Sequence, residues 1–323
     1  MNQTLFRIYQ GAGQFSRVAA ALAILLSAGL QFTNFEITIK AQVVIAVIAL
    51  AIGIPHGAID HLITIPRDST KRFIAFIGVY TLIAIIAALA IAQWNLVGFQ
   101  FVVLMSALHF GFGDSAYANE SQAAADKKGY SSIVLASYAI PAGFLPVVLP
   151  LTDKRTLDVL QELNPTLINW AGTFTESLRN STLAIALFSI LLLVATKNYE
   201  LAVDLLLLFA LSFFAPPLIA FAVYFGFWHA IRHTARLVPK LPSAMQKVAS
   251  GKPLAVFFTA VIPGLYAILG IFILGIFFVA RGTTDVSKDF LWVILVIIWA
   301  LTVPHMATTA KFDLRAFKNS LRP

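Results

Sequence analysis

The sequence predicts an all-α fold, a polytopic integral membrane bundle of about ten transmembrane helices. Hydrophobic residues make up 59% of the 323 positions and charged residues only 12%, whereas a soluble domain is about 45–50% apolar and about 25% charged. The mean hydropathy is +0.85. The apolar residues also form blocks close to the roughly 20 residues that cross a bilayer as a helix. The short alternating segments of a transmembrane β-barrel are not seen.

Ten apolar blocks are the candidate spans. The first follows a long, weakly basic N-terminal stretch with no clear cleavage site, which favours a retained membrane helix over a removed signal peptide. The chain shows no internal repeat and no separate soluble region, so we expect a single transmembrane domain over 1–323. The blocks cover 17–34, 41–63, 73–92, 98–117, 130–150, 181–197, 200–214, 217–235, 254–280 and 289–308.

The number of spans depends on the region around Ala215-Pro216-Pro217. A single helix over 200–235 would be roughly 54 Å long at 1.5 Å per residue, and the bilayer core is only about 30 Å thick. Adjacent prolines also break a helix. Two spans here put most Lys and Arg residues on the N-terminal side of the membrane, whereas one span divides them almost evenly. Because cytoplasmic loops are rich in Lys and Arg, we expect ten spans in a plasma or inner membrane, with both termini cytoplasmic. Nine spans are the alternative.

Composition excludes several classes of site and partner. The chain has no cysteine, which excludes disulfides, iron–sulfur clusters and thiolate zinc sites. The net charge of +8 comes from basic residues in the loops, where such residues are typical of topology signals and lipid headgroup contacts. We therefore expect membrane lipid as a partner and no nucleic acid.

The six histidines lie in the second half of even-numbered spans of the ten-span topology, and none lies in a long loop. They are His56, His61, His109, His229, His233 and His305. Because even-numbered spans run in the same direction, all six are expected at a similar depth, nearer the cytoplasm. Ionisable residues inside a membrane are costly and usually functional. One histidine could simply be hydrogen-bonded to a neighbour, but six at one depth favour a site.

The spacing of four histidines indicates a metal site. His229 and His233 are i and i+4 in FWHAIRH, which places both rings on one face of a helix, as in helical metal-binding motifs. His56 and His61 are five residues apart, so a regular helix cannot direct both at one centre. We expect one of them to be a ligand and the other either to support it or to lie at the end of the helix. Asp60 could orient an imidazole, or its charge could extend to the membrane interface.

Two further segments place a histidine beside residues that affect helix packing or helix geometry. In SALHFGFGD, His109 is followed by small residues that permit close helix approach and then by Asp114. In PHM, His305 follows a proline, as His56 does in PHGAIDH. A proline frees a backbone carbonyl and kinks a helix, so an ordinary kink near the interface is the alternative interpretation of this third segment.

The donors in these motifs are imidazoles, with no thiolate and no glutamate. Imidazole suits iron, zinc and copper. The absence of HExxH argues against a zinc protease, and only HAIRH fits one of the histidine boxes of membrane di-iron desaturases. A mononuclear all-histidine site is therefore the preferred interpretation, and bis-histidine haem ligation is the alternative.

PHGAIDH, HFGFGD, FWHAIRH and PHM occur in this order between residues 53 and 306. In this combination the chain resembles the Brp/Blh family of membrane β-carotene 15,15′-dioxygenases, although each motif alone is weakly specific. Many members have tryptophan before the second-motif histidine, where this chain has Leu108. The resemblance implies a catalytic domain that uses Fe²⁺ and O2 to cleave β-carotene at the central double bond into two all-trans-retinal molecules. It also suggests a functional link to a retinal-binding rhodopsin.

The resemblance further implies four histidine ligands of Fe²⁺, which correspond by motif to His56, His109, His229 and His233. Other polar and aromatic residues are expected to support these ligands or to line the substrate pocket. They are Asp60, His61, Asp114, Tyr224, Trp228 and His305. A substrate dissolved in the bilayer explains a site inside the membrane. The alternatives are a haem protein, a membrane oxidase of another apolar substrate, and a transport path, which would spread its histidines across the membrane depth.

Overall fold

The computed structural model describes residues 3–33, 35–64, 69–282 and 286–320. Within these ranges all regular structure is helical, and no strand occurs there. The helices are α1 (Gln3–Phe32), α2 (Ile39–Gly53), α3 (Pro55–Ala58), α4 (Asp60–Thr64), α5 (Thr70–Gln93), α6 (Asn95–Ala124), α7 (Ser132–Leu151), α8 (Lys154–Leu163), α9 (Thr175–Ala195), α10 (Tyr199–Phe214), α11 (Pro217–Ala222), α12 (Ala230–Leu237), α13 (Pro242–Val248), α14 (Pro253–Val261), α15 (Leu265–Gly282) and α16 (Val286–Ser320).

Among the residues that the structure describes, eight helical stretches are long and apolar enough to cross a membrane, which supports a multi-pass membrane protein. They are Gln3–Phe32, Ile39–Thr64, Thr70–Gln93, Asn95–Ala124, Ser132–Leu151, Gly172–Ala195, Pro253–Arg281 and Trp292–Ala310. Each overlaps one of the ten predicted blocks. The blocks at 200–214 and 217–235 are not among them, because α10 has only 16 residues and the next helical stretch contains polar residues such as Arg232 and His233 that lower its hydropathy. Ten crossings therefore stay a prediction.

The first helix is longer than predicted. It begins at Gln3, whereas the sequence placed the first span at 17–34. The additional turns pack against the bundle: Ile8 and Tyr9 are buried, and the Tyr117 hydroxyl on α6 donates a 2.5 Å hydrogen bond to the Tyr9 carbonyl. Tertiary contact therefore extends the helix beyond its apolar block.

α10 and α11 are separate helices, as the paired prolines predicted. Ala215 and Pro216 are extended, with ψ angles of 149° and 141°. After α11 the backbone is π-helical over Val223–His229, before α12 begins. Single π-helical turns are rare and often lie at functional sites, and this segment ends at one of the predicted metal ligands.

α6 and α7 approach each other closely at the centre of the bundle. A Cβ atom built on Gly111 of α6 would collide with the backbone of Ala139, and one on Gly143 of α7 would collide with the Ala107 carbonyl. The small residues of HFGFGD thus permit close helix approach, as the sequence predicted. This contact fixes the part of α6 that carries His109.

Two buried ionic networks attach α12 to its neighbours. Arg232 donates to Asp204 of α10 at 2.9 Å and to Ser16 of α1 at 2.9 Å. Arg17 contacts the same Asp204 at 2.6 Å. One turn later, Arg236 contacts acidic residues of α6 and α16. These contacts position α12, and with it His233, relative to the rest of the bundle.

Candidate metal centre

Five histidine rings converge inside the bundle, and all five side chains are buried. They come from α3, α6, the π-helical segment, α12 and α16, and they are His56, His109, His229, His233 and His305. The ring centre of His56 lies 5.5 Å from that of His229, 5.1 Å from that of His233 and 5.3 Å from that of His305. The His109 ring centre lies 5.2 Å from those of His229 and His305. We call this group the histidine cluster.

His229 and His233 enter the histidine cluster from adjacent helical turns. Their rings are stacked, with centres 5.7 Å apart and an angle of 28° between the planes. The i, i+4 spacing therefore places both rings on one side of the helix, as predicted. A Cβ atom on Gly113 of α6 would lie 3.3 Å from the His229 ring, so glycine at this position provides the space that the ring occupies.

His56 and His61 point to different surroundings. The His56 ring is in the histidine cluster, whereas the His61 ring packs on Phe73 with centres 6.1 Å apart. The His61 Nδ1 lies 3.2 Å from the Ala58 carbonyl. The helix is interrupted at Ile59, where ψ is 8°, but this irregularity does not bring the two rings together. Of the two histidines that the sequence left open, His56 is the one beside the others.

His305 lies inside the histidine cluster, although the sequence placed it among the supporting residues. Its ring centre is 5.3 Å from that of His56, 5.2 Å from that of His109 and 5.5 Å from that of His233. It reaches this position because α16 packs against α5 and α6.

Two buried carboxylates lie behind the rings. The Asp60 Oδ2 is 2.8 Å from the His305 Nδ1, and the Tyr80 hydroxyl donates to the same oxygen at 3.3 Å. The Asp114 Oδ1 lies 3.7 Å from the His229 Nδ1. A carboxylate at the second nitrogen of an imidazole fixes the orientation of a metal-binding ring. Asp60 and Asp114 therefore lie beside the rings, and their role as supporting residues of a metal site stays a prediction.

Tyr224 and Trp228 hold Asp114 in place. The Tyr224 hydroxyl and the Trp228 Nε1 each donate a 3.0 Å hydrogen bond to the Asp114 Oδ2. The Arg232 guanidinium lies 3.7 Å from the centre of the Trp228 ring and covers it. The sequence allowed these two residues either to support the ligands or to line a substrate pocket. The structure places both beside the Asp114 carboxylate, and neither lines the cavity described below.

The Nδ1 atoms of His56 and His109 contact uncharged oxygens. The His56 Nδ1 is hydrogen-bonded to the Gly53 carbonyl, and the His109 Nδ1 lies 3.4 Å from the Thr309 hydroxyl of α16. Both contacts use Nδ1, so Nε2 is the nitrogen left for another partner. In the structure as described, the His109 Nε2 and the His305 Nε2 are buried without a hydrogen-bond partner, and so are both ring nitrogens of His229 and His233.

The histidine cluster fits a metal ion by residue type, burial and spacing. Buried polar atoms without a partner are rare and call for an explanation such as an ion. Imidazole nitrogens lie about 2.0–2.1 Å from a bound metal, which places the ring centres of two ligands roughly 4.5–6.5 Å apart. The spacings of 5.1–5.7 Å around His56 and His233 fall in this range. Among the described residues no three His, Asp or Glu side chains already form a ready-made metal site, so we expect the rings to adjust on binding.

A cavity of about 270 Å³ adjoins the histidine cluster on the side of His56, His109 and His305. Its walls are mainly apolar. They include Ile54, Phe76, Phe110, Phe225, Ile271, Ile298 and Leu301. Polar atoms enter the wall at Asp60, His61, Tyr80 and Thr302. Ile77, also in the wall, is 39% exposed on the outer surface of α5, so the cavity reaches the apolar exterior of the bundle.

Two residues at the site were not predicted from the sequence: Tyr80, which contacts Asp60, and Thr309, which contacts His109. Thr309 is four residues after His305, and this i, i+4 spacing was a usable signal. Nothing local identified Tyr80, because α5 has no histidine and the contact with Asp60 forms only in the folded bundle.

Comparisons with known proteins identify the family of this chain. The family model described as β-carotene 15,15′-dioxygenase matches residues 47–313. The chain is 28% identical to a β-carotene 15,15′-dioxygenase of the uncultured marine bacterium 66A03, over 79% of this chain and 88% of the relative. It is also 28% identical to the probable β-carotene 15,15′-dioxygenase Blh of Halobacterium salinarum, over 82% of each chain. No solved structure matches. The chain belongs to the β-carotene 15,15′-dioxygenase family.

Proposed function

We propose that this chain cleaves β-carotene with O2 at the 15,15′ double bond and releases two molecules of all-trans-retinal. The observation that carries the proposal is the buried histidine cluster beside an apolar cavity in a multi-pass membrane protein. Family membership supplies the reaction class. A substrate that dissolves in lipid can enter a cavity that reaches the apolar exterior of the bundle.

We propose Fe²⁺ as the metal, with His56, His109, His229 and His233 as ligands. Imidazole is a suitable ligand for iron, and the ring spacing around His56 and the unpartnered nitrogens of His109, His229 and His233 support this assignment. Ferrous iron bound there would supply the one-electron chemistry that a reaction with O2 requires.

The protein residues orient the ligands and exclude water. Asp114 lies beside His229, with 3.7 Å between its Oδ1 and the His229 Nδ1, and is itself held by two hydrogen bonds. Phe110 packs on His229 with ring centres 4.4 Å apart, and Phe225 packs on His56 at 5.8 Å. Both aromatic rings also line the cavity. An apolar wall next to the metal keeps a polyene close and keeps water away from a reactive intermediate.

The haem alternative is less consistent with the geometry. Two axial histidines need a planar macrocycle between their rings. Here other histidine rings lie beside each ring, with centres 5.1–6.2 Å away, and this spacing leaves room for an ion but not for a macrocycle.

We further propose that the whole chain is one catalytic domain with ten membrane crossings and cytoplasmic termini. The break at Ala215-Pro216 supports two short crossings, α10 and the helical stretch from α11 to α12. The distribution of Lys and Arg supports the orientation. Retinal made in a plasma or inner membrane would be available to a retinal-binding rhodopsin there.

Expression in cells that accumulate β-carotene tests this function. The native chain should remove the colour and produce retinal. His229→Ala should do neither and should lose its iron, whereas His61→Ala, which alters a ring outside the histidine cluster, should keep its iron. Intact β-carotene with a folded, iron-loaded native chain would overturn the proposal, and so would native levels of retinal from His229→Ala.

A further inference from the structure

The last described helix contributes a histidine that the four-ligand set does not use. His305 is buried, and its ring centre lies 5.2–5.5 Å from those of His56, His109 and His233. These distances match the spacing between His229 and His233, which is 5.7 Å. By position, His305 is therefore equivalent to the four histidines that the family resemblance implies as ligands.

The hydrogen bonds of His305 select one of its ring nitrogens. Its Nδ1 contacts the Asp60 Oδ2 at 2.8 Å. A carboxylate at this distance holds the proton on Nδ1 in the neutral ring and leaves the Nε2 lone pair free. The Nε2 is buried and has no hydrogen-bond partner in the part of the chain that the structure describes. A carboxylate–histidine pair of this kind recurs behind metal ligands.

Asp60 is itself fixed in position. The Tyr80 hydroxyl donates to its Oδ2 at 3.3 Å and lies 3.4 Å from the Leu301 carbonyl of α16. The carboxylate is buried, and its Oδ1 has no partner among the described atoms. An ionised carboxylate in such a place needs compensating positive charge or strong donors, and a metal-bound imidazole supplies both.

His61 is an internal comparison. It lines the same cavity and lies in α4 together with Asp60. Among the described residues its Nδ1 contacts the Ala58 carbonyl, and its ring packs on Phe73, outside the histidine cluster. A histidine that lines this cavity therefore does not necessarily have its ring in the histidine cluster.

We propose that His305 is a fifth imidazole ligand of the metal centre and that Asp60 is its positioning residue. The inference rests on the proposed function, because it assumes that the histidine cluster holds a metal. It goes beyond that function, since the family resemblance implies four histidine ligands and places His305 outside them.

The test is a metal titration that needs no turnover. The full chain is purified in detergent, stripped with a chelator and titrated with Co²⁺, whose visible absorption responds to the number and kind of its ligands. Asp60→Asn should lower the affinity about 10- to 100-fold, the range typical of outer-shell partners of metal-binding histidines. His305→Ala should lower it at least as much and change the spectrum of the bound ion. His61→Ala should match the native chain in both.

Each outcome supports or overturns the assignment of His305 as a metal ligand. Native affinity and a native spectrum in His305→Ala would overturn the proposal. If His305→Ala does not fold, Asp60→Asn decides alone, and a Co²⁺ affinity within twofold of native would overturn it. If the native chain binds neither Co²⁺ nor Fe²⁺, the proposed function fails together with this inference. A native chain that binds metal, beside unaffected variants, overturns the inference alone.

Discussion

Arg236 and Asp313 form a buried ion pair with an N–O distance of 2.8 Å, and the two side chains are only 2% and 6% exposed. Arg236 is on α12, three residues after His233, and Asp313 is on α16, eight residues after His305. The pair therefore connects the two helices that bring these histidines together. Glu120 of α6 completes the contact with two hydrogen bonds of 3.1 Å from Arg236.

Removal of one charge from this pair should destabilise the protein. Breaking a buried pair costs about 3–5 kcal/mol because the other charge stays buried, and for Asp313→Asn we expect the lower end, since Glu120 still neutralises Arg236. The control is Asp153→Asn, whose pair with Arg155 is 29% and 46% exposed and contributes about 0–1 kcal/mol. Thermal unfolding in detergent measures both. Equal shifts of the midpoint in the two variants would contradict this account.

Substitution of Asp114 should affect stability and the metal centre together. Asp114→Ala leaves the Tyr224 hydroxyl and the Trp228 Nε1 buried without an acceptor, and each such group costs about 1–3 kcal/mol. It also removes the carboxylate behind His229, so iron affinity should fall about 10- to 100-fold. Tyr224→Phe removes one donor and keeps the carboxylate, so it should cost only about 0.5–1.5 kcal/mol. The account would be refuted by an Asp114→Ala protein that retains iron as the native chain does.

The close approach of α6 and α7 should not tolerate a methyl group. A Cβ atom on Gly143 would collide with the Ala107 carbonyl, and neither backbone can move without displacing the helix that carries His109. We expect little or no folded Gly143→Ala protein by size-exclusion chromatography. Gly78→Ala is the matched control, because among the described residues nothing beyond its chain neighbours and the local helix backbone lies within 4 Å of its Cβ position on α5. It should be neutral or stabilising by up to about 1 kcal/mol. Equal yields of the two folded variants would show that this packing is misassigned.

Filling the cavity should reduce β-carotene turnover without loss of metal. Ala267 of α15 lines the cavity, so Ala267→Phe should lower retinal formation several-fold at unchanged iron content. Leu269→Phe places the same phenyl side chain on the same helix at a position that is 62% exposed, and it should act as the native chain does. Product chromatography and metal analysis on the same samples separate the two effects. Native turnover by Ala267→Phe would place the substrate elsewhere.

Local patterns in the sequence predicted much of this fold. Apolar blocks of sufficient length became helices because a membrane leaves few other ways to satisfy backbone hydrogen bonds. Pro216 and Pro217 ended a helix where they were expected to. His229 and His233 share a face because helical periodicity fixes their relative direction.

Features that depend on contacts between distant segments were not predicted. His305 and Asp60 are 245 positions apart, and no periodicity relates them. Tyr80 is on a helix with an otherwise apolar pattern, and only the packing of α5 against α16 brings it to Asp60. The early start of α1 has the same cause, since it depends on the contact between Tyr9 and Tyr117.

The most direct test of the central claim is the product ratio of the purified enzyme. The iron-loaded chain is incubated with β-carotene and O2, and the loss of substrate is compared with the products by chromatography. Cleavage at the 15,15′ bond predicts two molecules of retinal for each β-carotene consumed and no longer apocarotenal. Unequal fragments, or no consumption by a folded and iron-loaded chain, would contradict the account.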